Sequence, residues 1–385
     1  MKVLAVLDVL NLGGAENLLA TLARVGPSHD LTLDVVSLAA ASSGQATWLP
    51  VLQEAGLRPR LLDISRLIQP QAVPRLTRAI RESKADIVHA HLEYAATLAP
   101  VAARLAGRPC VCTYHHVPIR LPMRDQLRER LSVAVASRSA RVIFVSKASR
   151  DGFAASYGAR PNWTVLHNGI DLREFRPRRG PLPAELGIPP AAPVVTLVGR
   201  LGDGKGHSHA LAAWPSVLAS VPEARLLLVG NGGYEDALRR QAVALGVGQH
   251  VVFAGRRTDV AAILNGSTLS CLPTRNEALP TALIEAAACG IPAVASAVTG
   301  VLEVVEDGET GLLVPYGDED RLASALVALL QDADRRTVMG RAARRLAEER
   351  FDAGAWATRL GDIYRTALGW SAAAARPREH DDTIS

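Results

Sequence analysis

The chain has 385 residues, of which 48% are apolar and only 4% aromatic, and carries a net charge of +5. That length exceeds what one core usually organises, so two domains of comparable size are expected. Scarce aromatics without a recognition motif argue against nucleic-acid binding, no run approaches the roughly 20 apolar residues of a membrane helix, and four cysteines do not make a disulfide framework.

The first apolar run, "KVLAVL", is interrupted by Asp8 and followed by no small-residue cleavage site, so it reads as a strand and not as a leader. In "NLGGAEN", Gly13 and Gly14 then open a helix, where backbone N–H groups favour an anion. Short Val-, Leu- and Ile-rich runs follow: "LTLDVVSL", "RLLDI", "DIVHAH", "CVCTYHH", "RVIFVS" and "WTVLH". Segments of helical period separate them, the pattern of strands buried on both faces. Cys110 and Cys112 sit in one such run and read as reduced packing residues, which points to the cytoplasm.

The proline-rich segment 176–192 reads as a linker. Beyond it comes a second series, "PVVTLVGR", "RLLLVG", "HVVFAG", "TLSCLP", "IPAVAS" and "GLLVP", then helices to about residue 369 and a flexible tail at 370–385. The expected fold is α/β, with two doubly wound parallel-sheet domains, 1–175 and 193–369, facing across a cleft. Ligands of such sheets bind beyond the carboxyl ends of the strands, so residues that follow strands are the candidates.

Three constellations sit there. In "VGRLGDGKGH" a strand ends at Arg200, and a loop with Gly202, Gly204 and Gly206 delivers Lys205 to the head of a helix. Lys205 is one of only four lysines, and a guanidinium fork beside a compact ammonium suits a diphosphate. In "NEALPTALIE", Glu277 precedes a helix begun by Pro280 and Glu285 lies within it, so two carboxylates can accept bonds from hydroxyls of one ligand. His89 and His91 end one strand of the first half, and His115 and His116 end another; each can meet a sugar hydroxyl or phosphate oxygen and carry charge near neutral pH. Asp8, His89, His91 and His116 are the acceptor-side candidates. No metal site is expected: the histidines lack a completing ligand, and the Asp318/Asp320 and Asp332/Asp334 pairs read as helix caps.

Residues 1–175 hold 21 Lys+Arg against 14 Asp+Glu, and the remainder 22 against 24. Segment 120–141 concentrates the excess, with Arg120, Arg124, Arg128 and Arg138 among apolar residues at helical spacing. It reads either as a solvated helix face or as a surface for anionic membrane.

Taken in order, "GGAEN", "VLHNGIDLREF", "GRLGDGKG", "LLLVGNGGYEDAL", "VVFAGRRTDV", "NEALPTALIEAAACGIPAVAS" and "DGETGLLV" resemble the retaining family-4 glycosyltransferases of GT-B fold, through nearly the whole chain. The resemblance implies a metal-independent enzyme, without cofactor, moving a hexosyl or N-acetylhexosaminyl group from a nucleoside-diphosphate sugar to a polysaccharide, glycolipid or natural-product acceptor. It implies that Arg200 and Lys205 hold the diphosphate and Glu285 the ribose, and that Glu277 faces the donor sugar. The backbone from Leu279 through Pro280 to Thr281 would approach phosphate and sugar, Gly14 would meet the donor from the other domain, and Arg256 would lie near the base. His115, ending Thr113-Tyr114-His115, would contact the sugar near the reacting carbon. The family places Gly where this chain has Ala278, a departure that leaves a non-catalytic nucleotide-sugar-binding subunit as the alternative.

Overall fold

The computed structural model describes residues 1–369 apart from 11–13, 40–48, 65–68, 120–121 and 179. Gly13, Arg120 and the expected tail therefore lie outside the described residues.

All thirteen expected strands form. The first sheet contains β1 (Lys2–Leu7), β2 (Thr32–Ser37), β3 (Arg60–Leu61), β4 (Ile87–His91), β5 (Cys110–Tyr114), β6 (Arg141–Phe144) and β7 (Trp163–Val165), in the order β3-β2-β1-β4-β5-β6-β7. The second contains β8 (Val194–Val198), β9 (Arg225–Val229), β10 (Val251–Gly255), β11 (Leu269–Leu272), β12 (Ala293–Ser296) and β13 (Gly311–Val314), in the order β10-β9-β8-β11-β12-β13. Every pairing is parallel. Helices cover both faces, which is why β4, β5, β11 and β12 are buried along their whole length. In each sheet the strand order reverses direction once, between β1 and β4 and between β8 and β11. A crevice opens at such a point. The two sheets make the facing pair expected of the GT-B architecture.

One expectation about the second domain needs correction. The last helix, Ala353–Ala367, does not stay with the second domain: Trp356, Ala357, Leu360 and Tyr364 pack against Val3, Leu18, Ile87, Val111 and Ile143 of the first. Its apolar stripe shares with Leu18, Leu22 and Val25 of the helix Gly14–Val25 the cover over one face of the first sheet. The linker itself is packed on the second domain. Leu182, Leu186 and Ile188 pack on Val194, Leu227 and Ile263 of the second domain, and Arg257 bonds Glu185 at 2.7 Å.

The chain thus passes between domains twice. The two crossings lie side by side, with Ile170 N–H donating to the Phe351 carbonyl (2.7 Å) and Ala353 N–H donating to the Ile170 carbonyl (3.1 Å). Contact is so close that a Cβ at Gly169 would lie 2.7 Å from Ala353 Cα.

Candidate active site

The second switch point carries the cationic loop. From the end of β8 the chain runs through Arg200, exposed with its guanidinium spread over Gly202, to Lys205 and the helix His207–Ser220. Gly206 is required there: it has φ +83°, and a Cβ would lie 1.9 Å from the Pro273 carbonyl oxygen. The loop is thereby seated under the end of β11. The Gly204 carbonyl completes the join by accepting from Arg275 N–H and Thr274 Oγ, both at 2.8 Å.

That join brings together two residues 72 positions apart. Lys205 Nζ lies 2.5 Å from Glu277 Oε1, and the same oxygen accepts from Thr274 Oγ at 3.2 Å. The Glu277 backbone is clamped from the loop after β12. Its N–H donates to Thr299 Oγ (3.2 Å), and its carbonyl accepts from Thr299 Oγ (2.7 Å) and Gly300 N–H (2.9 Å). A Cβ at Gly300 would fall 1.8 Å from the Ala278 oxygen, so only glycine allows this approach. Ala278 itself is absent from the described residues with positive φ. Its methyl group therefore demands no special backbone, and the departure from the family's Gly leaves the loop unstrained.

Leu279 and Pro280 are buried beside this loop, and Thr281 opens the helix Thr281–Ala288, to which Pro280 offers no side-chain cap. Glu285, on the second turn, is buried; burial first, and the charge of Glu174 second, push its carboxyl up to about 8. His207 is a neighbour that the sequence did not mark. It is buried beside Lys205, neither ring nitrogen has a partner among the described residues, and burial lowers its pKa to about 4. Arg256 lies in the loop after β10, half-buried. Arg257, next to it, is a structural residue paired with Asp259 and Glu185.

The first domain's candidates separate into different tasks. His89 is a core residue: Nδ1 bonds Tyr364 Oη and Nε2 bonds Thr113 Oγ, both at 2.6 Å, which ties the sheet to the last helix. Both Asp8 oxygens are taken by the helix Glu93–Leu105, accepting from Tyr94 N–H (3.0 Å) and Ala95 N–H (2.6 Å), while burial raises its carboxyl to about 7. His116 pairs with Glu129 at 2.8 Å, and Tyr157 holds the other oxygen of that carboxylate. These three acceptor-side candidates are therefore engaged by the fold. Their partners are 275, 86 and 13 residues away in sequence.

His91 and His115 remain together, with Nδ1 of the first 3.0 Å from Nε2 of the second and the rings stacked. His91 Nε2 is buried without a partner among the described residues. The expectation of charge near neutral pH fails here, because burial holds His115 near 3 and His91 well below its ordinary value. His115 is thus held as a neutral ring beside His91. Two residues on, Val117 packs against the apolar cluster in which Val145 of the first domain joins the core of the second. Gly14 is the first residue of the helix Gly14–Val25, after the end of β1.

The acid pairs read as caps behave so: Asp318 accepts from Arg321 N–H (2.9 Å) and Asp332 from Arg335 N–H (2.8 Å).

A helix N-terminus beside Arg200 and Lys205, with Glu277 paired to that lysine and Glu285 on the helix that follows β11, at the switch point of a parallel sheet, fits a nucleotide-sugar transferase. Comparison with known proteins agrees. Residues 12–174 match the family described as Glycosyltransferase Family 4, and residues 179–346 match that described as Glycosyl transferases group 1. The GDP-mannose-dependent alpha-(1-6)-phosphatidylinositol monomannoside mannosyltransferase of Mycolicibacterium smegmatis is 32% identical over 308 residues, spanning 76% of this chain and 79% of that protein. A GDP-mannose-dependent monoacylated alpha-(1-6)-phosphatidylinositol monomannoside mannosyltransferase of Corynebacterium glutamicum is 33% identical over 236 residues, 58% of this chain and 61% of that protein. Anabaena HepE, solved in complex with UDP-glucose, superposes with a TM-score of 0.81 at 25% identity, over 95% of this chain and all of that one. The chain belongs to glycosyltransferase family 4, and it is a GT-B glycosyltransferase that uses a nucleotide sugar.

Proposed function

We propose that the protein is a retaining, metal-independent glycosyltransferase that moves a hexosyl or N-acetylhexosaminyl group to a glycolipid or related cell-surface acceptor. The observation that carries this reading is the meeting of Lys205 with Glu277 beside Arg200 and the N-terminus of the helix His207–Ser220. Cleaving a sugar from a nucleoside diphosphate builds negative charge on the leaving phosphate. Preorganised cations and N–H dipoles lower the barrier where that charge develops. Arg200, Lys205 and the helix end supply the positive charge that a divalent ion provides in other transferases. Glu277 can take a hydroxyl of the donor sugar, Glu285 the ribose hydroxyls, and neutral His115 a sugar oxygen from across the cleft. Catalysis by an active enzyme is preferred to a binding subunit because Ala278, the one departure behind the alternative, sits in ordinary backbone.

The test is nucleoside-diphosphate release from a panel of UDP-, GDP-, ADP- and TDP-sugars, with product anomers assigned by NMR and assays run with and without EDTA. Tight binding of a nucleotide sugar with no transfer to any sugar or glycolipid acceptor would overturn the catalytic reading. Inverted product would overturn retention, and loss of activity in EDTA would overturn metal independence.

The acceptor proposal has its own support. On the helix Met123–Ala136, Met123, Leu127 and Leu131 are 85%, 68% and 52% exposed and lie in one row, flanked by exposed Arg124 and Arg130. Apolar side chains framed by arginines fit an anionic lipid surface. Arg128 is not part of that face, since it pairs with Glu93 and Asp125 and lies over Tyr94. No helix among the described residues is long and apolar enough to cross a membrane. Leu127→Asp should weaken co-sedimentation with phosphatidylglycerol vesicles about tenfold, the order expected for losing part of one leucine's burial. Nucleotide affinity should stay unchanged. Equal vesicle binding by variant and wild type would remove this helix from the membrane contact.

A further inference from the structure

Glu303 belongs to the second domain, yet its carboxylate bonds lie in the first. Its oxygens accept the N–H groups of Lys147 (3.0 Å) and Ala148 (2.8 Å), and Oε2 meets His167 Nε2 at 2.8 Å. Burial is the largest influence on this carboxyl and pushes it up. The bonds from His167, Ala148 and Lys147 together outweigh that, and the group stays below its ordinary value.

The helix that receives Glu303, Lys147–Tyr157, already has its own cap, because Ser146 Oγ accepts from Ser149 N–H at 3.0 Å. Glu303 takes the two N–H groups that this cap leaves over. The helix therefore draws part of its N-terminal capping from the opposite domain.

Glu303 is also the last residue of the short 3₁₀ turn Thr299–Glu303, and the first two residues of that turn hold the backbone of Glu277. Thr299 has φ 25°, an unfavourable value for a β-branched residue, which the contacts on both sides of it maintain. A continuous path therefore runs from the first domain through Glu303 and the turn to Glu277, and through its ion pair to Lys205.

We propose that Glu303 is a positioning residue for the donor site, setting the Glu277 loop and its Lys205 partner according to where the first domain sits. The proposal rests on reading Glu277 and Lys205 as donor contacts. A five-residue turn pinned at both ends has little slack, so displacement at Glu303 reappears at Thr299. The cation that meets the diphosphate is then aligned only when the opposing domain is seated.

The test compares full-length wild type with Glu303→Ala and Glu303→Gln. Amide hydrogen exchange reads the path directly. In Glu303→Ala, exchange should rise at least about tenfold not only at Lys147 and Ala148 but also at Gly300 and Glu277, whose N–H groups bond within the clamp. UDP and GDP affinity should stay within about threefold, since the glycine loop and Arg200 are untouched. By contrast kcat should fall about 10- to 100-fold, the effect of small misplacement at a reacting centre. Glu303→Gln keeps an acceptor for the N–H groups and should fall between the two. Exchange changes confined to Lys147–Ser149, or an unaltered kcat in Glu303→Ala, would overturn the proposal. A wild type that neither binds these nucleotides nor transfers sugar would instead overturn the functional reading, and the exchange pattern would still decide the coupling.

Discussion

Lys205→Ala should lower kcat/KM for sugar transfer by about a thousandfold, the range found for removing one preorganised donor from a developing oxyanion. The magnitude follows from where the ammonium sits. It stands on a loop wedged under β11 by Gly206 and meets Glu277. Lys205→Arg should recover little of the rate despite keeping the charge, because a planar fork cannot occupy the place of a compact ammonium in so short a loop. The ion pair adds a second expectation. Combined with Glu277→Gln, the effect of Lys205→Ala should shrink well below the sum of the single changes, as for residues that act as one unit. Initial rates of nucleoside-diphosphate release check both points. A Lys205→Arg enzyme within threefold of wild type would remove this lysine from the charge-stabilising set.

The second large effect is a trade between stability and binding at Glu285. Its folded carboxyl titrates near 8, above its ordinary value of 4.5, so the folded state holds a proton that the unfolded state gives up. The favourable contribution of that proton is complete below about pH 4.5 and declines as pH rises toward 8. Glu285→Gln removes the ionisation. It should raise the melting temperature by several degrees at pH 8, reflecting a gain on the order of a few kcal/mol, and should leave it nearly unchanged at pH 4.5. At and above pH 8, where the wild-type carboxyl ionises, nucleotide affinity should fall about 10-fold in the same variant, since a bond from a ribose hydroxyl to a charged acceptor is worth about 1.5–3 kcal/mol. Thermal unfolding at both pH values, with and without UDP and GDP, gives the two readings in one experiment. A variant that is no more stable at pH 8, or that binds nucleotide as wild type does, contradicts the respective half.

The strands were legible because burial on both faces leaves an unmistakable run of Val, Leu and Ile, and "DIVHAH" or "TLSCLP" has no competing interpretation at that length. The meeting of Lys205 with Glu277 has a related reason: each follows a strand, and the adjacency of β8 and β11 brings the loops after them together. The connections that fix this meeting were not legible. Thr274, Thr299, Gly300 and Glu303 act through contacts between loops that only the adjacency of β8, β11 and β12 creates, and nothing in their own sequence marks them. His89 and Asp8 show the reverse error. Each follows the strand pattern of a ligand-binding residue, but its partner is a tyrosine in the last helix or the free N–H groups of the helix ahead. A buried polar group needs a partner, and sequence does not say whether that partner is a ligand or the protein itself.

The paired crossings at Ile170 and Asp352 restrict how the cleft can work. Domains joined by one flexible tether can swivel and slide in many directions, whereas two adjacent strands, hydrogen-bonded to each other, behave as a door hung on neighbouring pins. Two bonded crossings leave fewer directions of relative motion than one tether would. The register of the two domains is then set by the connection itself, alongside contacts such as those of Glu303 with Lys147, Ala148 and His167.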